Sequence, residues 1–141
     1  MALKHEELTA KIISVYYDVY NELGHGFLES VYHRAMLCAL NQSGLRAESE
    51  VALPVSFRGT TVGDFRADIV VENVVLIELK TVQALENEHI AQVINYLKAT
   101  PIEIGFLMNF GPHPAFKRII CDNPSKEVRL NPCESVVRVS K

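Results

Sequence analysis

Hydrophobic and polar residues follow a helical period in the first part of the chain. Apolar side chains recur every three to four positions from about residue 4 to 23, and again from about 28 to 43. Gly24-His25-Gly26 separates the two segments, and Gly44 follows the second, so both predicted helices have a plausible end signal. We expect these two helices to form a hairpin over one face of a sheet.

The pattern then changes to strands. Residues 50–58 form a β segment in which Pro54 favours a sheet edge or a bulge. A turn and a short extension are predicted over 59–63. Two apolar strands follow at about 64–71 and 74–81, joined by the tight-turn pair Glu72-Asn73.

A third helix is predicted over about 86–99, ending at Thr100-Pro101. The buried strand at 102–110 follows this crossover, so it can lie parallel to the strand of Glu78. A last strand is predicted near 116–121. The fold class is therefore α/β, with a central mixed sheet flanked by two N-terminal helices and a crossover helix. The polar tail from about 122 is expected to be loosely held, apart from a short strand near 136–139.

Composition bounds the protein class. A chain of 141 residues with 48% hydrophobic and 22% charged residues fits one soluble globular domain, 1–141. It has neither a transmembrane-length apolar run nor a signal-peptide core, so no membrane association is expected. The scattered Cys38, Cys121 and Cys133 suit neither disulfides nor zinc, which favours a reducing cytoplasm.

The formal net charge of −3 gives no global basic field. This weighs modestly against a DNA-binding scaffold. It weighs less against a nuclease, because a metal can neutralise clustered acids while a local basic rim holds phosphates.

Asp68, Glu78 and Lys80 interrupt the apolar hairpin and are the strongest candidates for chemistry. Glu78 and Lys80 are two apart in a strand and leave the same face. A turn at 72–73 puts Glu78 nearly opposite position 67 or 68, so the two carboxylates can approach. They would repel without a cation, and hard oxygen ligands suit Mg²⁺ or Mn²⁺. The alternative is a surface ion pair between Glu78 and Lys80.

Two helical segments add candidates. His89, Gln92 and Tyr96 share one face of the third helix and can reach the same site, although a solvated His89 and a core Tyr96 are the simpler interpretations. Glu29 lies in the first turn of the second helix, where helix capping is its alternative role.

These residues together resemble a known family. The string 26–32 reads G-x-x-E-x-x-Y, and with Asp68, Glu78-Leu79-Lys80 and Gln92-x-x-x-Tyr96 it is similar to the GxxExxY protein family. That family is placed in the PD-(D/E)xK nuclease superfamily, which has the restriction-endonuclease-like fold. The similarity covers roughly residues 5 to 120. One departure is Ala67, where the superfamily's name has proline.

The resemblance implies roles for each matched residue. Asp68 and Glu78 would be metal ligands, with the Leu79 backbone carbonyl as a third, and Glu29 would complete the site. Lys80 would be the catalytic lysine. Gln92 and Tyr96 match the Q-x-x-x-Y motif of the RecB-like branch, in which Gln92 would position water or phosphate.

The expected function is a Mg²⁺- or Mn²⁺-dependent nuclease that hydrolyses DNA, with RNA left open as a substrate. The alternative is a non-catalytic module that binds nucleic acid or a partner protein, and a homodimer also stays open. Several basic residues are candidate phosphate contacts, each of which can equally be a plain surface charge. They are Arg34, Arg66, Lys98, Lys117 and Arg118.

Overall fold

The computed structural model describes residues 5–122, 129–131 and 136–138. These residues form three helices and one seven-stranded sheet. The helices are α1 (Glu6–Leu23), α2 (Glu29–Gln42) and α3 (Asn87–Lys98), and the strands are β1 (Ala47–Phe57), β2 (Thr60–Val71), β3 (Val75–Lys80), β4 (Ile104–Asn109), β5 (Ala115–Ile120), β6 (Arg129–Asn131) and β7 (Val136–Arg138).

The sheet is mixed, with strand order β1-β2-β3-β4-β5-β7-β6. β1, β2 and β3 form an antiparallel meander, and α3 then crosses over so that β4 lies parallel to β3. β5 returns antiparallel to β4 and pairs in parallel with β7. The predicted α/β class, the helix hairpin and the parallel β3–β4 pair are confirmed.

Successive side chains along a strand point to opposite faces of the sheet, and here both faces are buried. Val75, Ile77 and Leu79 of β3 pack against α1 and α2, while Leu76 packs with Val93 of α3 on the opposite face. Glu78 and Lys80 share the parity of Leu76, so β3 directs both toward the α3 side. The sheet therefore separates an α1/α2 layer from an α3 layer.

The turn between β2 and β3 sets the register of the site. Glu72 and Asn73 both have positive φ, 54° and 56°, which suits the two-residue turns that match strand twist. The sequence predicted this conformation for Asn73 but not for Glu72. The β2–β3 pairing ends at Ile69 with Ile77, and beyond it Asp68 and Glu78 approach each other as predicted, joined by hydrogen bonds between side chains and backbone.

The β1–β2 hairpin is longer than the sequence predicted. β2 begins at Thr60 rather than near 64, because the short turn at Arg58 and Gly59 leaves 60–63 free to pair with β1. Pro54 lies on the edge strand β1, next to a register shift between Val55 and Ser56, which agrees with the edge-or-bulge prediction.

The expected loose tail from about 122 falls largely on residues outside the described ones. Two described pieces of it, β6 and β7, join the sheet, and β7 matches the strand predicted near 136–139. Among the described helices, none combines the length and apolar character needed to cross a membrane.

Candidate active site

Asp68 and Glu78 are joined to each other's strands by hydrogen bonds. The backbone N–H of Asp68 donates to Glu78 Oε1 at 2.9 Å, and the backbone N–H of Leu79 donates to Asp68 Oδ2 at 2.8 Å. Each carboxylate thus accepts from the main chain of the neighbouring strand. This reciprocal pair fixes the two acids side by side on the α3 face of the sheet.

Glu78 is buried, with 3% of its surface exposed. Burial, followed by the negative charge of Asp68, raises its pKa from the ordinary 4.5 to about 8; the hydrogen bond from the Asp68 N–H and the charge of Lys80 act in the opposite direction. A carboxylate in this setting is stabilised by a proton or by another cation. Its burial rules out the exposed ion pair that was the simpler interpretation.

Lys80 ends β3 on the same face as Glu78 and is half-buried. Its positive charge lowers the pKa of both Glu78 and Glu29. Its own carbonyl accepts a hydrogen bond from the Phe110 N–H at 2.7 Å, which anchors the end of the strand. The ammonium group therefore lies within electrostatic range of two candidate metal ligands.

Glu29 approaches from the first turn of α2. The N-cap residue Leu28 makes no side-chain capping bond, and Glu29 lies in the first turn, where the helix dipole favours a carboxylate. Partial desolvation and the charge of Asp68 raise the pKa of Glu29, while Lys80 and His33 lower it. The Glu29 carboxylate is thus within electrostatic range of Asp68 and of Lys80.

The three acids do not converge on one point. Among residues 5–122, 129–131 and 136–138, no group of three His, Cys, Asp or Glu side chains lies close enough to hold a metal ion. The arrangement is a tight pair, Asp68 and Glu78, with Glu29 farther away. The metal-ligand roles of these residues and of the Leu79 carbonyl stay predictions.

Tyr32, the last residue of the G-x-x-E-x-x-Y string, organises the loop before α2. Its hydroxyl donates to the Gly24 carbonyl at 2.5 Å and accepts from the Phe27 N–H at 3.2 Å. Its buried ring stacks on Phe110 at 4.5 Å between centroids. Sequence reasoning assigned Tyr32 no role, although its spacing three residues after Glu29 was the available signal.

Asn109 organises the segment that follows Lys80. Its buried side chain accepts from the N–H groups of Val82 and Gly111, both at 3.0 Å, and donates to the Val82 carbonyl at 2.9 Å. The Tyr16 hydroxyl donates to the Asn109 carbonyl. Sequence reasoning missed this clamp; the only signal was a polar residue near the end of an apolar strand.

On α3, Gln92 donates from Nε2 to the Tyr96 hydroxyl at 3.0 Å. Burial raises the pKa of Tyr96, and the charges of Glu78 and Asp68 raise it further, so this pair faces the acids. His89 instead caps the helix by accepting from the Glu86 N–H at 2.9 Å. Lys98 is exposed and lines a separate hollow of about 280 Å³ beneath the β1–β2 hairpin.

Comparison with known proteins identifies the family. The sequence matches the PD-(D/E)XK nuclease superfamily over residues 6–119, which includes every residue of the site. The chain belongs to the PD-(D/E)XK nuclease superfamily. Its mixed sheet and flanking helices are the restriction-endonuclease-like fold that this superfamily shares.

One solved structure supports the fold of this PD-(D/E)XK domain. It is titled "Crystal structure of SSO0001"; the TM-score is 0.54 at 22% sequence identity, over 80% of this chain and 61% of that one. At this identity the likeness concerns the fold alone, and the present chain spans less than two thirds of that protein. No curated protein sequence gives a significant match.

PD-(D/E)XK nucleases generally use divalent metals, and the donor chemistry here fits one. Asp68 and Glu78 offer hard carboxylate oxygens, which Mg²⁺ and Mn²⁺ prefer. Burial first and the charge of Asp68 second raise the pKa of Glu78, and a bound cation would offset both effects. The residues present therefore fit a divalent ion in both charge and ligand type.

Proposed function

We propose that this protein is a nuclease that hydrolyses DNA phosphodiester bonds and depends on Mg²⁺ or Mn²⁺. The observation that carries the proposal is the buried Glu78 hydrogen-bonded side by side with the half-buried Asp68, with Lys80 on the same face, in a member of a nuclease superfamily. Burying the ionised Glu78 carboxylate beside a second acid is unfavourable unless a cation compensates the charge, which supports a metal-binding role for this pair.

Each residue has a role in this proposal. Asp68, Glu78, the Leu79 carbonyl and Glu29 would hold the divalent ion, which when bound lowers the pKa of a coordinated water and neutralises charge on the phosphate. Lys80 places a positive charge beside the acids, where it stabilises the developing negative charge and orients the attacking water.

The α3 residues would act on the substrate. The Gln92 amide, held by Tyr96, can turn its carbonyl oxygen to the attacking water or its N–H to a phosphate oxygen. Lys98, at the far end of α3, would contact the phosphate backbone of a longer strand. The motif string 26–32 further favours the GxxExxY family within the superfamily, and the unpaired Cys38 and Cys121 favour the cytoplasm.

The test is a cleavage assay on labelled single-stranded and duplex DNA with Mg²⁺, Mn²⁺ or EDTA. Lys80→Ala should lower the rate about a hundredfold or more, the scale of removing one group that stabilises charge in a transition state. Lys11→Ala, at an exposed lysine of α1, is the matched control and should leave the rate unchanged. Equal rates for wild type and Lys80→Ala would contradict the mechanism.

A second candidate is a non-catalytic module that binds nucleic acid or a partner protein, alone or as a homodimer. The position of Glu29 apart from the acid pair favours it, because two carboxylates hold a divalent ion less firmly than three. Under this candidate the wild type binds DNA or a partner protein without any metal-dependent turnover.

A further inference from the structure

An exposed apolar cluster surrounds Glu29. Six large apolar side chains are exposed in the described part of the chain, and three of them flank this residue: Phe27 (50%), Leu28 (76%) and Val31 (37%). We call Phe27 and Leu28 the rim pair. Leaving such side chains in water forgoes the gain of burial, so adjacent examples beside a candidate site point to a ligand.

The loop that carries the rim pair is held in place rather than free to collapse. The Tyr32 hydroxyl bonds the backbone of this loop at two points, the Gly24 carbonyl and the Phe27 N–H, and the Tyr32 ring is itself stacked on Phe110. The Phe27 ring meets the Tyr32 ring edge to face at 6.1 Å. A clamp of this kind keeps the rim pair exposed and lowers the entropy lost on binding.

The charged residues near the rim pair in the sequence indicate whether Phe27 and Leu28 would bind the phosphate or the base of a nucleotide. The sequence has no lysine or arginine between Lys11 and Arg34, while Glu22 and Glu29 are negative. The sequence neighbours of the rim pair therefore supply no lysine or arginine that would hold a phosphate on Phe27 and Leu28 themselves. A nucleobase is favoured, because every base offers an apolar π-face to an aromatic side chain.

The position of the candidate active site determines which base of a bound strand would contact the rim pair. Phe27 contacts Tyr32, Tyr32 stacks on Phe110, and the Phe110 N–H donates to the Lys80 carbonyl at 2.7 Å. These contacts connect the rim pair to the end of β3, where the scissile phosphate would be held. The base next to that phosphate is then the one nearest the rim pair. In a duplex this base is stacked on its neighbours and covered, whereas in a single strand it is free.

We propose that Phe27 and Leu28 form a stacking platform for an unpaired nucleobase beside the scissile phosphate, and that the substrate is single-stranded DNA. This inference rests on the proposed nuclease function and narrows its substrate class.

The test compares oligothymidylate with an abasic oligomer of equal length, which keeps the phosphates and lacks the bases. Binding is measured by fluorescence anisotropy with Ca²⁺ in place of Mg²⁺, so that affinity is read apart from cleavage. Wild type should bind oligothymidylate more tightly. Phe27→Ala should weaken that binding roughly five- to a hundredfold, the range of one base–aromatic stack, and leave the abasic oligomer unaffected. Phe27→Trp should restore it.

Phe57 provides a matched control, since it is an exposed phenylalanine (57%) at the tip of the β1–β2 hairpin. The strand from its partner Thr60 to Asp68 spans about 26 Å, so Phe57 is remote from the site. Phe57→Ala should leave both affinities unchanged. Leu28→Ala is a second variant at a highly exposed position, where loss of folding is not expected.

Several outcomes would overturn the platform. One is that wild type binds oligothymidylate and the abasic oligomer with equal affinity. Another is that Phe27→Ala weakens the binding of both oligomers equally. The third is that Phe57→Ala weakens the binding of oligothymidylate as much as Phe27→Ala does. The proposed hydrolysis is scored separately with Mg²⁺. Base-selective binding without cleavage would refute hydrolysis and keep the platform, whereas cleavage insensitive to Phe27→Ala and to strandedness would refute the platform alone.

Discussion

At the residue scale, the acid pair is a balance between burial and hydrogen bonding. Glu78 and Asp68 each accept one backbone N–H. For Glu78 this bond favours the charged form, yet burial and the negative charge of Asp68 raise its pKa to about 8. The metal-free protein therefore holds a proton at this pair over a pH range in which the unfolded chain has lost it. The site lowers stability near neutral pH when no cation is bound.

We expect Glu78→Gln to stabilise the metal-free protein in a pH-dependent way. With a folded pKa of about 8 and an ordinary value of 4.5, wild type loses stability as pH rises between these values. The slope for one proton is about 1.4 kcal/mol per pH unit. The variant has no titrating group at this position. Its unfolding free energy should therefore equal that of wild type near pH 4.5 and exceed it by about 1.4 kcal/mol more for each pH unit above that, reaching several kcal/mol by pH 8.

Denaturant unfolding in EDTA across this pH range measures the difference. The control is Glu48→Gln, at an exposed position of β1, which should leave the pH profile as it is in wild type. A constant offset between Glu78→Gln and wild type at all pH values would contradict the raised pKa.

The hydroxyl of Tyr32 is expected to affect both the stability of the protein and its affinity for metal. We expect Tyr32→Phe to keep the stack on Phe110 and to lose both loop hydrogen bonds, which should cost about 1–2 kcal/mol of unfolding free energy. Because the loop leads into Glu29, metal affinity should fall as well. Tyr17→Phe, at an exposed tyrosine of α1, is the control.

Unfolding free energy and Mn²⁺ affinity are measured on the same samples. If Tyr32→Phe lost stability but bound Mn²⁺ as wild type does, Tyr32 would be a purely structural residue with no positioning role.

At the element scale, α3 packs against β4 at Gly105, where there is no room for a side chain. A Cβ built on Gly105 would lie 2.7 Å from Val93 Cγ1 and 3.4 Å from Leu76 and Leu97 atoms. The close approach of α3 brings Gln92 and Tyr96 over the face that carries the acids. Because glycine has no side chain, Gly105 allows α3 to pack close to the face of the sheet that carries the site.

We expect Gly105→Ala to destabilise the fold by about 1–3 kcal/mol through overpacking. Adding Val93→Ala should recover part of this loss, because it removes the nearest clashing atom, whereas Val93→Ala alone should destabilise by leaving a cavity. Gly63→Ala is the control, since its nearest atoms lie at 3.4 Å or beyond.

Thermal or denaturant unfolding of the four proteins gives a double-mutant cycle. If the changes in unfolding free energy from Gly105→Ala and Val93→Ala simply added in the double variant, the two positions would not be in contact with each other.

At the scale of the whole molecule, three separate parts of the chain meet at the site. β2 and β3 supply Asp68, Glu78 and Lys80, α3 supplies Gln92 and Tyr96, and the α1–α2 loop presents Glu29. The Asn109 clamp ties the segments after β3 and β4 together, and Gly111 fits there because a Cβ would lie 1.9 Å from the Val82 carbonyl oxygen. The site is thus formed only in the folded chain.

We therefore expect Mn²⁺ and Mg²⁺ to stabilise the protein against heat. A ligand that binds only the folded state at a hundred times its Kd adds about 2.7 kcal/mol, a rise of several degrees in Tm. The rise should be absent in Asp68→Ala/Glu78→Ala and present in the control Glu48→Gln. An identical metal response in wild type and in the double variant would remove the basis for a metal site at this pair.

The sequence by itself determined the elements and much of the site. Apolar periods predicted helices over about 4–23, 28–43 and 86–99, each end within two residues of the observed one. The turn at Glu72-Asn73 predicted Glu78 nearly opposite position 67 or 68, because turn chemistry and strand spacing are local patterns. The motif order gave the superfamily.

Only the tertiary structure decided what depends on contacts between distant segments. These are the burial of Glu78, the height of α3 above Gly105, the clamps made by Tyr32 and Asn109, and the separation of Glu29 from the acid pair. The β6 strand was also missed, since three residues carry too short a pattern to be read. The physical reason is that sequence spacing fixes which face a side chain leaves, whereas its burial and partners are set by elements that the chain brings together from far away.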